Sequence, residues 1–306
     1  MSLKLGKLKL KNKGVLAPML DYTNLTFRQL CNKNNCGLLY TEMVHISHIL
    51  NKPASEIEIK TKDEDYLVSL QLVGDFTKRK ETREAFEIVE KIRDFDIIDF
   101  NLGCPSQKII AGKSGAILLD HIDEVSKTLK EIKEISSKPI TVKIRLGYKK
   151  DNSLEILKKL EWAGVDAIAI HARLGVDDYS IPSNYNKVIN LAKETSLPII
   201  YNGDINLENA TLFKEIDEFL GLMVGRSALT NPSIFCELAN KKQSELTDNI
   251  ANYMKFSIKY NNSIINQKLL LLQMLSGFKG ARQLRVKLTT IKTQEEINDF
   301  CSNLQF

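Results

Sequence analysis

Eight short runs of apolar and β-branched residues, each followed by a longer stretch, constrain this chain more than any other feature. They are Val15–Pro18, Leu38–Thr41, Leu67–Leu72, Ile97–Asn101, Ile140–Arg145, Ala167–His171, Pro198–Tyr201 and Phe219–Val224. Their composition and their turn-forming borders predict strands. Most of the intervening stretches carry helical patterns. Thr26 precedes Phe27-Arg28-Gln29-Leu30, and Asp75-Phe76-Thr77 leads into a helix predicted over Arg79–Arg93. Asp123 opens a helix over Glu124–Ile135. Asn152 or Ser153 caps Leu154–Trp162, which Gly164 ends in a left-handed conformation, and Asn206 caps Leu207–Ile216. Strands alternating with helices make a parallel sheet. Eight such units in about 230 residues fit a closed (β/α)8 barrel of the TIM type better than an open sheet. The expected class is α/β, with the barrel over residues 1–235 and a small all-helical domain over residues 240–306, where Thr293 and Glu296 form a capping box for the last helix.

The charge is divided unevenly between these two parts. Residues 241–306 hold ten Lys and Arg against five Asp and Glu, an excess equal to the whole net charge of +5, so the first 240 residues are neutral overall. A basic appendage on a neutral body points to a polyanionic partner, although a well-solvated helical face has the same composition. Gly277–Lys287 places Lys279, Arg282, Arg285 and Lys287 at helical spacing with Phe278 among them, a stripe suited to RNA phosphates or equally to solvent. No run of about 18 apolar residues occurs, and the first residues lack the apolar stretch of a secretory signal. The five cysteines include no C-x-x-C pair, which suggests reduced thiols and a cytoplasmic setting with no zinc site. His45, His48 and His121 read as structural.

In a barrel of this kind chemistry sits at the C-terminal ends of the strands. Those ends carry Pro18-Met19, Glu42, Gln71 with Gly74, Asn101-Leu102-Gly103-Cys104-Pro105, Lys143 with Arg145, His171 with Arg173, Asn202-Gly203-Asp204 and Gly225-Arg226. Polar residues and glycines at nearly every end favour one convergent site. Asn202-Gly203-Asp204 and Gly225-Arg226 close the seventh and eighth strands, where this fold commonly binds phosphate; ordinary turns are the alternative. Lys143 and Arg145 alternate along one strand and share its inner face, where a cation needs an anionic partner. A reduced flavin, an internal carboxylate such as Glu42, or a Schiff-base role for Lys143 would each supply a reason for that charge. Cys104 lies on a rim loop outside any apolar run, as expected of a proton donor or nucleophile, whereas Cys31, Cys236 and Cys301 read as inert.

Taken together, Leu16–Met19, Gln71–Gly74, Asn101–Pro105, Thr141–Arg145, Ile170–Arg173, Asn202–Ile205, Val224–Arg226 and Gly280–Arg285 resemble the tRNA-dihydrouridine synthases in order and spacing. The resemblance implies FMN as cofactor, NADPH as reductant and tRNA as substrate. Pro18, Met19 and Leu20 would line the flavin ring, and Gln71, Lys143 and His171 would hold its polar edge. Asn202, Gly203, Asp204, Gly225 and Arg226 would bind the phosphate. Asn101 would orient the uracil, Cys104 would give the proton, Arg145 and Arg173 would face the nucleotide or the flavin, and Lys279, Arg282 and Arg285 would hold the tRNA. No metal or membrane is implied, and a monomer is expected. The chain departs from the family at Asn24, where Asp is usual, and over Leu174–Tyr185, which lacks the usual Trp. A dihydroorotate dehydrogenase-type flavin enzyme, a non-redox phosphate-binding lyase and a non-catalytic RNA-binding protein are the competing readings.

Overall fold

The computed structural model describes residues 3–52, 66–92, 94–276 and 280–304. Eight strands form one parallel sheet: β1 (Gly14–Leu16), β2 (Leu39–His45), β3 (Val68–Val73), β4 (Ile97–Leu102), β5 (Ile140–Arg145), β6 (Ala167–His171), β7 (Ile199–Asn202) and β8 (Phe219–Val224). β8 pairs with β1 in parallel, Met223 opposite Val15. β1 also bridges to Leu38 just ahead of β2, with Leu16 N donating to Leu38 O at 2.9 Å. The sheet thus closes on itself as the alternation predicts, and helices cover its outer face.

Most of the strands run as buried residues on both faces, because one face meets the helices and the other meets the barrel interior, while β2 is half-buried from Glu42 to His45. The interior divides by height. Val15, Ala17, Leu38, Tyr40, Ile97, Ala167, Ala169, Ile200 and Met223 form an apolar core within it. Leu5 and Leu10, on or beside an antiparallel hairpin of Lys4–Leu5 and Leu8–Lys9, belong to that same core and close the N-terminal end. Above it, the same side-chain parity carries Gln71, Asp99, Asn101, Lys143, Arg145, His171 and Asn202.

The differences from the sequence expectations are local. β2 extends to His45, through a register shift between Tyr40 and Met43, so His45 ends the strand and its Nδ1 accepts from Ser47 N at 3.1 Å. The helix expected over Leu207–Ile216 is only Ala210–Lys214; Asn206 makes an Asx turn ahead of it, accepting from Glu208 N and Asn209 N. The first long helix, Leu25–Lys33, is capped by Asn24, whose side chain accepts from Phe27 N. Gly164 does end Ser153–Ala163 in the left-handed region, and Thr293 and Glu296 do form a capping box. The terminal hairpin and the short helices Gln107–Ala111 and Arg226–Thr230 are too brief to show a period in the sequence.

Past the barrel, helices Leu246–Lys259, Ile264–Met274, Ala281–Thr290 and Gln294–Ser302 pack together, and their apolar residues Tyr253, Leu271, Met274, Leu288 and Phe300 continue the core that surrounds the barrel. A buried polar cluster fixes this packing: Asn34 Nδ2 donates to Asn249 Oδ1 at 2.8 Å, and Asn249 Nδ2 donates to Ser233 Oγ at 2.9 Å. No helix among the described residues is long and apolar enough to cross a membrane. Because Leu5 is fully buried at the closed end of the barrel, Leu5→Ala is expected to cost about 3 kcal/mol of folding stability. Urea unfolding followed by circular dichroism will show this as a lowered midpoint, with ligand binding at the opposite end unchanged.

Candidate active site

At the C-terminal ends of the strands lies a cavity of about 820 Å³, bounded by residues from most of the βα loops. Its walls include Pro18, Met19 and Leu20 from the loop after β1, Asn101 and Cys104 from β4 and its loop, Lys143 and Arg145 from β5, and His171 from β6. Asn202, Gly203 and Asp204 follow β7, and Gly225 and Arg226 follow β8. Thirteen positions singled out in the sequence therefore meet in one place. Gln71 and Arg173 stand behind the wall, both buried. Arg282 and Arg285 are exposed on helix Ala281–Thr290, away from the cavity, and Lys279 lies outside the described residues.

Backbone geometry at two glycines shapes the rim. Gly203 has φ +138°, and a Cβ there would approach Ser183 Cβ to 2.7 Å, so the β7 loop requires glycine. Gly115 has φ +69°, and its Cβ would stand 2.5 Å from the carbonyl oxygen of Cys104, so the chain passes the cysteine loop as closely as backbone allows. That loop is held from below: Asn101 Oδ1 accepts from Gly103 N at 3.0 Å and from Cys104 N at 2.9 Å. The Cys104 side chain remains part-exposed at the cavity.

The arginines are more committed than their positions alone suggest. Arg145 Nε donates to Gly103 O at 3.1 Å and its Nη1 donates to Leu174 O and Asp177 O, so it staples the cysteine loop to the 174–177 segment while still facing the cavity. Arg173 donates to Ile181 O and to Asp204 Oδ2, the latter at 2.6 Å. Its guanidinium is enclosed by protein. Asp204 also accepts from Arg226 Nη2 at 3.1 Å. The Asp204 carboxylate thus holds the two arginines in position, and any part it takes in binding phosphate falls to its backbone N–H. Arg226 further lies over the Tyr179 ring at 4.0 Å, a rim contact that the sequence did not single out.

The electrostatics favour an anion. Lys108, Lys143, Arg145 and Arg226 line the cavity against the single carboxylate of Asp204. Lys143 lies deep in the barrel yet keeps some accessible surface, because the cavity opens onto it. Burial, and then the neighbouring Arg145, lower its pKa to about 8, against a partly compensating pull from Asp99. His171 is held far below the usual imidazole range by burial and by Lys143, Arg145, Arg173 and Arg226, and so is neutral. Arg173 Nη1 approaches His171 Nε2 at 3.3 Å and can only donate, which makes Nε2 the acceptor and leaves the proton on Nδ1. His171 Nδ1 is buried with no hydrogen-bond partner in the structure. An N–H donor without a partner, a lysine and a cationic loop around one cavity suit a ligand with both carbonyl acceptors and a phosphate. FMN has both.

Asp99 is a buried carboxyl beneath the cavity that sequence reading passed over. It is fully buried inside β4, and burial raises its pKa to about 6 despite hydrogen bonds from Thr141 and Gln71 and the charge of Lys143. The signal was present, since Asp99 sits between Ile97 and Asn101 at the inward parity of an otherwise apolar strand.

The barrel resembles solved enzymes at the level of fold. The old yellow enzyme from Trypanosoma cruzi superposes with a TM-score of 0.57 at 13% identity, over 85% of this chain and 97% of that one. A morphinone reductase gives 0.51 at 12%, over 82% and 91%. Among curated proteins, a probable tRNA-dihydrouridine synthase of Aquifex aeolicus is 29% identical over 94% of both chains. One from Helicobacter pylori is 35% identical over 74% of this chain and 69% of its own length. A tRNA-dihydrouridine synthase B of Pasteurella multocida is 31% identical over 76% and 70%. The family model for dihydrouridine synthase matches residues 15–305. With the site's residues in place at the strand ends and that match spanning barrel and tail alike, the chain belongs to the tRNA-dihydrouridine synthase family of enzymes.

Proposed function

We propose that this enzyme binds FMN in the barrel cavity and reduces particular uridines of tRNA to 5,6-dihydrouridine, with NADPH as the source of reducing equivalents. The observation that carries the reading is the convergence of Cys104, Asn101, Lys143 and His171 on one cavity whose far side holds Arg226. When bound and reduced, FMN supplies the hydride for C6 of the uracil. Cys104 gives a proton to C5, and the two additions together saturate the C5–C6 bond. A neutral thiol is a competent acid near neutral pH. Asn101 and Arg145 hold the loop that carries Cys104. His171 Nδ1–H and Lys143 donate to the polar edge of the flavin, and Arg226 meets its phosphate. Pro18, Met19 and Leu20 form the apolar side of the cavity. A uridine inside folded RNA must leave its stack to enter such a cavity. The exposed basic residues Arg282 and Arg285 hold the RNA while it does so, with Lys279 near them in sequence.

The reading is tested by incubating the protein with unmodified tRNA, FMN and NADPH and measuring dihydrouridine. Cys104→Ala is expected to keep full flavin content while turnover falls roughly 100-fold or more; normal turnover would remove the thiol from the reaction. Reversing Arg282 and Arg285 to Glu is expected to weaken tRNA binding roughly 10-fold or more, with a shallower salt dependence and unchanged flavin content. Unaltered binding in a filter or gel-shift assay would leave those residues as a solvated face.

The lowered pKa of Lys143 sets a pH dependence for the cofactor. The amine is charged below about 8 and neutral above it, and the charged form favours electron-rich acceptor atoms of the ligand. FMN affinity, read by quenching of flavin fluorescence, is therefore expected to be constant up to about pH 8. Above that it should fall, by at most about tenfold per pH unit. A flat profile from pH 7 to 9.5 would place Lys143 outside the cofactor contacts.

A further inference from the structure

The geometry points to Asp99 as a positioning residue of the active site: from inside the barrel it sets, through Gln71 and Asn101, the polarity of the side-chain amides that hold the Cys104 loop. The role rests on the reading above for its catalytic meaning, but the hydrogen bonds stand on their own. Asp99 Oδ1 accepts from Thr141 Oγ1 at 2.6 Å, and Asp99 Oδ2 accepts from Gln71 Nε2 at 2.7 Å. Gln71 Oε1 in turn accepts from Asn101 Nδ2 at 2.8 Å. Asn101 Oδ1 then accepts from the backbone N–H groups of Gly103 and Cys104. All three side chains are buried, with Asp99 and Gln71 fully so.

The direction of this chain is forced. An ionised carboxylate has no proton to give, so Gln71 must turn its NH₂ towards Asp99 and its oxygen towards Asn101. That oxygen demands a donor, so Asn101 must turn its NH₂ towards Gln71 and its oxygen towards the loop. Flipping either amide would set donor against donor in a place water does not reach, at the cost of an unsatisfied buried group. The second N–H of Asn101 meets only Met43 Sδ, at 3.1 Å, a weak acceptor. Asn101 and Met43 both line the cavity, so a carbonyl of the substrate can take the place of that weak acceptor. One acceptor at the base of the network thus fixes both the support of Cys104 and the donor character of Asn101.

Three variants test this. Asp99→Leu removes the acceptor, Asp99→Asn keeps an oxygen for Gln71 but removes the charge, and Gln71→Met cuts the middle link at similar volume. Each is scored for bound FMN and for the rate of iodoacetamide alkylation at each cysteine, read by peptide mass spectrometry. Asp99→Leu and Gln71→Met are expected to raise the Cys104 rate roughly fivefold, the effect of losing about one net hydrogen bond of restraint. The buried Cys31, Cys36 and Cys236 should stay at the wild-type rate, and Asp99→Asn should restore most of the Cys104 protection. In tRNA assays the same two variants should lower kcat more than they raise KM. An unchanged Cys104 rate would overturn the proposal. So would a rise shared by the buried cysteines, which marks general loosening, or an Asp99→Asn variant that behaves like the Leu. Should Asp99→Leu not fold, Gln71→Met carries the comparison. Because alkylation needs neither tRNA nor turnover, an inactive wild-type protein with the expected alkylation pattern would count against the tRNA reading alone.

Discussion

Closure of the sheet through β1 is the contact on which the rest of the structure depends. β1 is only three residues long, yet it must pair with β8 on one side and reach Leu38 on the other. Once it does, the two outer strands of the sheet are brought together at the base of the barrel, and the inward side chains there are closed off from bulk water. The N-terminal hairpin seals one end with Leu5 and Leu10. The other end must then satisfy whatever polar groups the strands bring to it. The chemistry of the cavity follows from that asymmetry: the lower interior is apolar and closed, and the upper interior is polar and accessible.

Placing cations at the upper end of such a barrel is expensive, and the structure shows how the cost is met. Arg145 is held by three backbone carbonyls and Arg173 by two carbonyls and the carboxylate of Asp204. Lys143 has no such enclosure and answers burial with a depressed pKa, while His171 answers it by remaining neutral. The arginines therefore act chiefly as struts that tie loops together. The groups left for a ligand are Lys143, the Nδ1–H of His171 and the rim guanidinium of Arg226. A ligand that carries both carbonyl oxygens and a phosphate offsets the charge of Lys143 and Arg226 and gives the His171 N–H an acceptor.

The eight strands and the cluster at their ends were legible because both obey short-range rules. Inward parity follows from counting by two, and glycine or polar residues after an apolar run mark a loop. What was not legible depends on where a long side chain turns. Nothing in the sequence says that Arg173 folds back to Asp204, or that Asp204 spends its charge on two arginines. The extension of β2 past a register shift to His45 was hidden by Glu42, a polar residue that reads as a strand end. Asp99 was legible by parity, which puts it in the interior beside Lys143, but it lies mid-strand, away from the strand ends where barrel chemistry is expected.

The tail adds a constraint on substrate size that the cavity alone does not. Asn34, Ser233 and Asn249 hydrogen-bond to one another where water is excluded, so a rotation of the helical segment on the barrel would strand several polar atoms at once. Helix Ile264–Met274 packs on Arg226–Thr230, the short helix that begins at the cavity rim, and Gln273 donates to Tyr22 Oη near the loop after β1. The exposed basic face of Ala281–Thr290 is therefore carried at a fixed orientation to the cavity. A free pyrimidine can occupy the cavity and leaves that face without a use. A folded polyanion is large enough to span both, and the buried amides between barrel and tail keep the two at a fixed separation.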